Sequence, residues 1–271
     1  MRQAVTIAVV CLTFVVRALA EPTDQEKADE ISEQALRAAL TKSFAPSSAN
    51  PQAYAWRTNI VTTLFWIGEK TAKGRQRTKR AFDDIDWLAK YGGVDDPDPS
   101  ARRDYIPVAF TPGQNPFYVA LPYKDVRGGS HKPEADRVIP WFDARVVRPA
   151  KSVCEGSWLA IRKGERICYA QWEDVGPDGS NDYRYVFQNE RPKPNRKGGA
   201  GLAVSPAVRD FLGLAARDVT DWQFVDVRNV PRGPWRTYGT NNIFVIAARR
   251  IEFNAKWESE KKLQSERQQP E

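Results

Sequence analysis

From Phe117 onward the chain is a succession of short apolar runs, FYVALPY, RVIPWF, GSWLAI, RICYAQW, RYVFQ, DWQFVDV and NIFVIAA, separated by Gly, Pro and Asp. This feature constrains the fold most. Runs this short, rich in β-branched and aromatic residues and bounded by turn formers, read as strands. Their spacing suits a closed or nearly closed antiparallel or mixed barrel better than alternating β-α units. Within the series, WLAIRKGERICYAQW reads as a hairpin turning at Lys163-Gly164, because glycine supplies the positive φ such turns require, and that turn sets Leu159 opposite Cys168. SPAVRDFLGL carries Ser205 as N-cap, Pro206 at the first helical position and Gly213 at the C-terminal left-handed position, so a short helix is inserted between strands.

The N-terminal part reads differently. Residues 1–20 have Arg2, an apolar run from Ala4 to Val16 and the small-residue site Ala18-Leu19-Ala20, the layout of a cleaved secretory signal. The run is short for a membrane span of about 20 residues, so no integral membrane segment is expected after cleavage. In 21–52, apolar residues recur at helical spacing from Ala28 to Leu40 behind a Thr23/Glu26 capping box, and APSSANPQA then breaks the helix. The accessory region 53–116 opens on RTNIVTTLFWIGE, a strand, followed by KTAKGRQRTKR. That basic run reads as a solvated loop, with a phosphate-binding patch as the functional alternative. YGGVDDPDPSARRD packs acids among prolines and glycines without calcium-loop spacing, and reads as a polar turn. Residues 117–248 form the barrel, and the charged tail 249–271 is expected to fray.

Charge and cysteine content narrow the partners. The full chain has 41 Lys+Arg against 34 Asp+Glu, and without Arg2 and Arg17 its net charge is about +5. Such a mildly basic surface attracts anionic polymers, and export favours wall glycans and lipid headgroups over nucleic acid. Cys154 and Cys168 remain in the mature chain, an even pair in an oxidising compartment, so a disulfide is expected. Two cysteines and the single His131 do not supply four zinc ligands, and no metal or cofactor is expected.

The order of hairpin, EDVGP, loop, GLAVSPAVRDFLGL and strand DWQFVDV resembles the double-psi β-barrel of rare-lipoprotein-A-like murein enzymes, expansins and family 45 endoglucanases. The resemblance covers roughly 117–248, and the preceding segment looks like an accessory region of exported microbial proteins that carry such a barrel. It implies a mainly β fold: a six-stranded double-psi β-barrel with an N-terminal α-helix and an accessory strand and loop region. Asp174 with Gly176 and Pro177 matches the Asp-x-Gly-Pro of the murein enzymes, whose aspartate is associated with glycan cleavage. Asp125, in LPYKDV, is similar in placement to a Tyr-x-Asp of the endoglucanases. Two departures stand out. Ala203 occupies the place of a family aspartate, and His131 lacks the flanking pattern of the murein-cleaving relatives' histidine.

Inverting hydrolysis needs two carboxyl groups about 6.5–9.5 Å apart, whereas lytic cleavage of murein can use one residue as base and then acid. Asp174 alone could serve the latter, with Trp172 and Glu173 supplying burial and like charge to raise its pKa. The structural alternative makes Asp174 and Asp125 turn formers and Glu173 an outward-facing residue. Trp172, Tyr183, Tyr185 and Trp235 are candidate sugar platforms, with Arg236 as an anion contact; the competing reading puts most aromatics in the core. The expected function is therefore an exported, secreted or periplasmic, binder of peptidoglycan or another cell-wall polysaccharide with a groove near Asp174 and some lytic activity. The alternatives are a lytic transglycosylase using Asp174, and a non-catalytic structural or protein-interaction module.

Overall fold

The computed structural model describes residues 30, 32–38, 40, 54–70, 74, 82 and 86–267. The expected signal segment, the linker after residue 44 and most of the basic run at 70–80 lie outside them. Residues 32–38 are helical, as their spacing predicts. No helix among the described residues is long and apolar enough to cross a membrane.

Six strands close into a mixed barrel: β1 (Arg57–Leu64), β2 (Tyr118–Leu121), β3 (Trp158–Lys163), β4 (Arg166–Val175), β5 (Leu202–Val204) and β6 (Arg217–Val225). Around the barrel the order is β1, β6, β3, β4, β2, β5 and back to β1. The β1–β5 and β2–β4 pairs are parallel and the other four antiparallel. Because β1 comes from residues 57–64, the barrel is completed by the segment the sequence reading set aside as accessory.

Alternate residues of the strands fill the interior: Val119 and Leu121, Leu159 and Ile161, Cys168, Ala170 and Trp172, Leu202 and Val204, Trp222 and Phe224. A second cluster forms outside the wall. Tyr118, Ala120 and Ala203 face outward, and Phe65, Ile67, Trp87 and Tyr91 cover them. Trp87 and Tyr91 sit four residues apart on α1 (Trp87–Tyr91), one face of a single turn that Gly92 ends at φ 104°.

Three apolar runs expected as strands are not. RYVFQ is α3 (Tyr183–Gln188), RVIPWF holds α2 (Ala135–Val138) and turns, and NIFVIAA begins α5 (Ile243–Arg267). A short run buried on all sides has no periodicity to separate helix from strand. The α3 run buries Tyr185, Val186 and Phe187 consecutively, which is that case. The C-terminal tail continues α5 through Arg267 and does not fray there, since Ala, Glu, Lys and Gln favour helix, and Lys256 meets Glu260 one turn on at 3.9 Å.

The hairpin β3–β4 forms, but its register is Ile161 opposite Cys168 and Leu159 opposite Ala170. The turn residues are Gly164 and Glu165, one position later than expected, and a one-residue shift of the turn moves every cross-strand pair by two. Helix α4 (Pro206–Leu212) forms as read: Ser205 Oγ accepts from Val208 N at 3.3 Å and Gly213 closes it at φ 68°. Ser205 Oγ also donates to Pro116 O at 2.7 Å, tying α4 to the start of β2. Replacing this buried hydroxyl by Ser205→Ala leaves an N–H and a carbonyl without partners, and urea denaturation should register a loss of about 1–3 kcal/mol.

Candidate functional site

Asp174 acquires its position from a bulge. Along β4, Trp172 pairs with Val119, but the next pair is Asp174 with Ala120, so Glu173 is the extra residue. Without the bulge Asp174 would share the inward face of Trp172; with it, Asp174 stands on the outer face beside Ala120. Ala120 in turn pairs with Ala203 on its other side. The position where the resemblance puts an aspartate is therefore two strands from Asp174, about 10 Å across the ladder. This outer face carries the covering layer of Phe65, Ile67, Trp87 and Tyr91, and Asp174 is completely buried at 0% exposure. Among the described residues Asp174 faces no open groove, since its side chain is sealed from solvent.

Asp125, the second expected carboxylate, is also fully buried and organises a loop. Its Oδ1 accepts from Ser152 Oγ at 2.5 Å, and its Oδ2 accepts from Val153 N at 2.8 Å. His131 Nδ1 lies 3.3 Å from Oδ2, while its Nε2 is 3.2 Å from Arg148 O. Both carboxylate oxygens of Asp125 and Nε2 of His131 are thus engaged in holding 148–153 to the barrel, a structural use.

The expected disulfide is absent; Cys154 and Cys168 are free, buried thiols. Gly156 N donates to Trp172 O at 2.8 Å, which fixes the Cys154 loop at the Trp172 level of β4. Cys168 is four residues down that strand, about 13 Å away, whereas bridged cysteines have Cα atoms about 4.4–6.8 Å apart. Burial pushes both thiols well above the ordinary range, with nearby Asp125 adding to the shift at Cys154. Neither should therefore react with a thiol reagent at pH 8 in the native protein, and both should be alkylated in denaturant without reductant; mass spectrometry after alkylation checks this.

The expected sugar platforms belong to the core or its supports. Trp172 is buried against Phe82, Phe187 and Phe224 and donates Nε1 to Asp174 O at 2.8 Å. Tyr185 is buried and its hydroxyl accepts from Trp222 Nε1 at 2.7 Å. Trp235 is buried with Nε1 on Pro231 O, and Tyr183 is half-buried on the same core. Arg236 is held by Glu33 at 3.0 Å and lies 4.1 Å from the centre of the Phe244 ring. Glu173 is buried at the bulge. The bland reading of these aromatics is the one the fold follows, because a barrel of six strands needs large side chains to fill it.

An open hollow of about 670 Å³ lies elsewhere, where a small hairpin meets the C-terminal end of α4; Arg102, Asp104, Tyr105, Arg209, Asp210 and Leu214 line it. The hairpin pairs Arg102 with Pro107 and Arg103 with Ile106, leaving Asp104 and Tyr105 as the turn. Both have positive φ, 49° and 71°. Two such residues in a two-residue loop make the turn that Asn-Gly ordinarily occupies. Aspartate tolerates the left-handed region, whereas a tyrosine there costs about 1–2 kcal/mol. The ring explains how this is sustained. It packs edge-on against Phe117 at 5.8 Å and beside Phe211 at 5.5 Å, and Arg102 donates to the Tyr105 carbonyl.

Beneath the turn, Arg102 is the hub of a buried charge network. It donates to Asp95, and its Nε is 3.4 Å from Asp210 Oδ2. Asp95 also accepts from Tyr118 hydroxyl at 2.7 Å. Burial pushes the Asp95 carboxyl up, with Arg102 and Tyr118 opposing that shift. The sequence marks 91–104 as a polar turn and gives no sign of the hollow, because RRDYIP has no glycine where a hairpin turn advertises itself. Among the described residues no cluster of three or more His, Cys, Asp or Glu could hold a metal ion. No protein-family model matches the chain, and no curated protein is detectably similar to it.

Proposed function

We propose that this chain is an exported glycan-binding protein of the cell wall, on a barrel of the double-psi family, whose ligand sits in the hollow at Tyr105. The observation that carries this reading is Tyr105: a strained aromatic held at the lip of an open hollow, with Asp104, Asp210 and Arg209 around it. Backbone strain of this kind collects at ligand sites, and a flat ring flanked by carboxylate and guanidinium groups suits a pyranose face and its hydroxyls. The same reading makes the protein a binder. Asp174 and Asp125 are buried, and Ala203 supplies no acid, so the carboxylate pair that the resemblance implies for hydrolysis is not presented to a ligand.

Retention of the purified protein on insoluble murein and on plant-type polysaccharide tests this. Wild type and Asp174→Asn should be retained equally, Tyr105→Ala should lose at least tenfold, and no anhydro-sugar products should appear. Release of anhydro-sugars that stops with Asp174→Asn would instead establish the lytic enzyme. A second reading, a protein-interaction module, is favoured by α5, where Ile246, Phe253 and Trp257 are exposed along one face. Failure of all retention would leave that module.

A further inference from the structure

Resting on the glycan-binding reading of the Tyr105 hollow, we infer that its ligand is an uncharged saccharide, and that Asp104 confers this preference by accepting sugar hydroxyls. The mildly basic chain would otherwise favour an anionic polymer, so the hollow's own charges decide.

Both guanidinium groups in its wall are committed to the protein. Arg209 donates Nε to Asp210 at 2.8 Å and Nη2 to Pro97 O at 2.6 Å. Arg102 donates its two terminal nitrogens to Asp95 and to the Tyr105 carbonyl, and its Nε faces Asp210. Neither presents the open fork that grips a carboxylate or phosphate in two parallel bonds. An anionic ligand would have to unmake the buried Arg102–Asp95 pair or the half-buried Arg209–Asp210 pair to gain one, leaving Asp95 or Asp210 uncompensated.

Asp104 works in the same direction. It is exposed at the turn, and among the described residues it has no hydrogen-bond or ion-pair partner. A free carboxylate at the mouth accepts hydroxyl hydrogens and repels an anion. The groups that remain to a ligand are thus acceptors and a ring face, which neutral pyranose hydroxyls and C–H faces complement. Arg166 is the cation an anionic ligand could still use, since its Nη1 lies 3.3 Å from where a β-carbon on Gly213 would sit, beside the hollow.

Calorimetric titration of the full chain with cellotetraose, N-acetylchitotetraose, tetragalacturonate, poly(glycerol phosphate) and the deacetylated chitosan tetramer tests this at 50 and 300 mM salt. A neutral tetramer should bind with a Kd that changes less than about twofold between the two salts, as expected without counterion release. Asp104→Asn should weaken it about tenfold, the worth of one charge-assisted bond. Asparagine is favoured at this turn position, so the fold is kept and circular dichroism should be unchanged. Arg166→Gln should leave affinity within twofold.

Binding confined to tetragalacturonate, steeply weakened by salt and lost with Arg166→Gln, would overturn the inference while leaving the glycan-binding reading intact, and binding confined to poly(glycerol phosphate), which carries no sugar, would overturn both. Binding confined to the cationic chitosan tetramer would overturn the inference alone. No binding by any of the five would remove both.

Discussion

Arg102→Ala should lower stability by about 3–5 kcal/mol, enough to unfold a marginal domain, because it strands a buried carboxylate. The side chain is 2% exposed and touches Asp95, Asp210 and the Tyr105 carbonyl, so its loss removes both the counter-charge of Asp95 and the anchor of the hairpin. The deficit should depend on pH. Burial already raises the Asp95 carboxyl above its ordinary range, and removing Arg102 raises it further. A raised folded-state value means that the native state holds a proton the unfolded chain releases. Stability attributable to Asp95 is therefore retained below the unfolded value, near 3.9, and lost as pH rises through the folded one. Chemical denaturation of the variant at pH 4 and pH 7 should show the smaller deficit at pH 4. Adding Asp95→Asn should recover stability at pH 7. A deficit that does not vary with pH, or no recovery in the double variant, would count against the buried pair as the hub.

Trp172→Ala should cost about 3–5 kcal/mol, and any loss of ligand binding should follow from unfolding alone. Trp172 is completely buried among Phe82, Phe187 and Phe224, and its ring nitrogen bonds the Asp174 carbonyl across the bulge. Trp172→Phe keeps most of the volume and omits the bond, so a loss of about 1–2 kcal/mol is expected. With stability measured by denaturant titration and binding at a temperature where each variant stays folded, Trp172→Phe should bind like wild type. Weakened binding by a fully folded Trp172→Phe would restore Trp172 as part of a sugar site. The contrast with Tyr105→Ala, where binding should fall with the barrel intact, separates core aromatics from those at the hollow.

Much of the architecture was legible because it rests on local chemistry. The hairpin of β3 and β4, the Ser205, Pro206 and Gly213 punctuation of α4, and the strand from Arg57 follow from turn residues, capping and β-branched runs within a few positions of one another. The RYVFQ run misled because it is buried on all sides and so shows no period. The candidate site was harder to read for a different reason. Whether Trp172, Tyr185 or Trp235 meets water depends on which strands lie across the barrel, and the sequence of one strand is silent on that.

By itself the sequence determined the class: a closed barrel of short strands with one inserted capped helix, since strand length, turn chemistry and capping act over a handful of residues. Only the tertiary structure decided where a ligand could enter. A single extra residue in β4 turned Asp174 onto the outer face, where it is fully buried, and two positive-φ residues raised Tyr105 over an open hollow. Each of these depends on contacts between segments distant along the chain, where the free energy of burial outweighs the local preferences that a sequence displays.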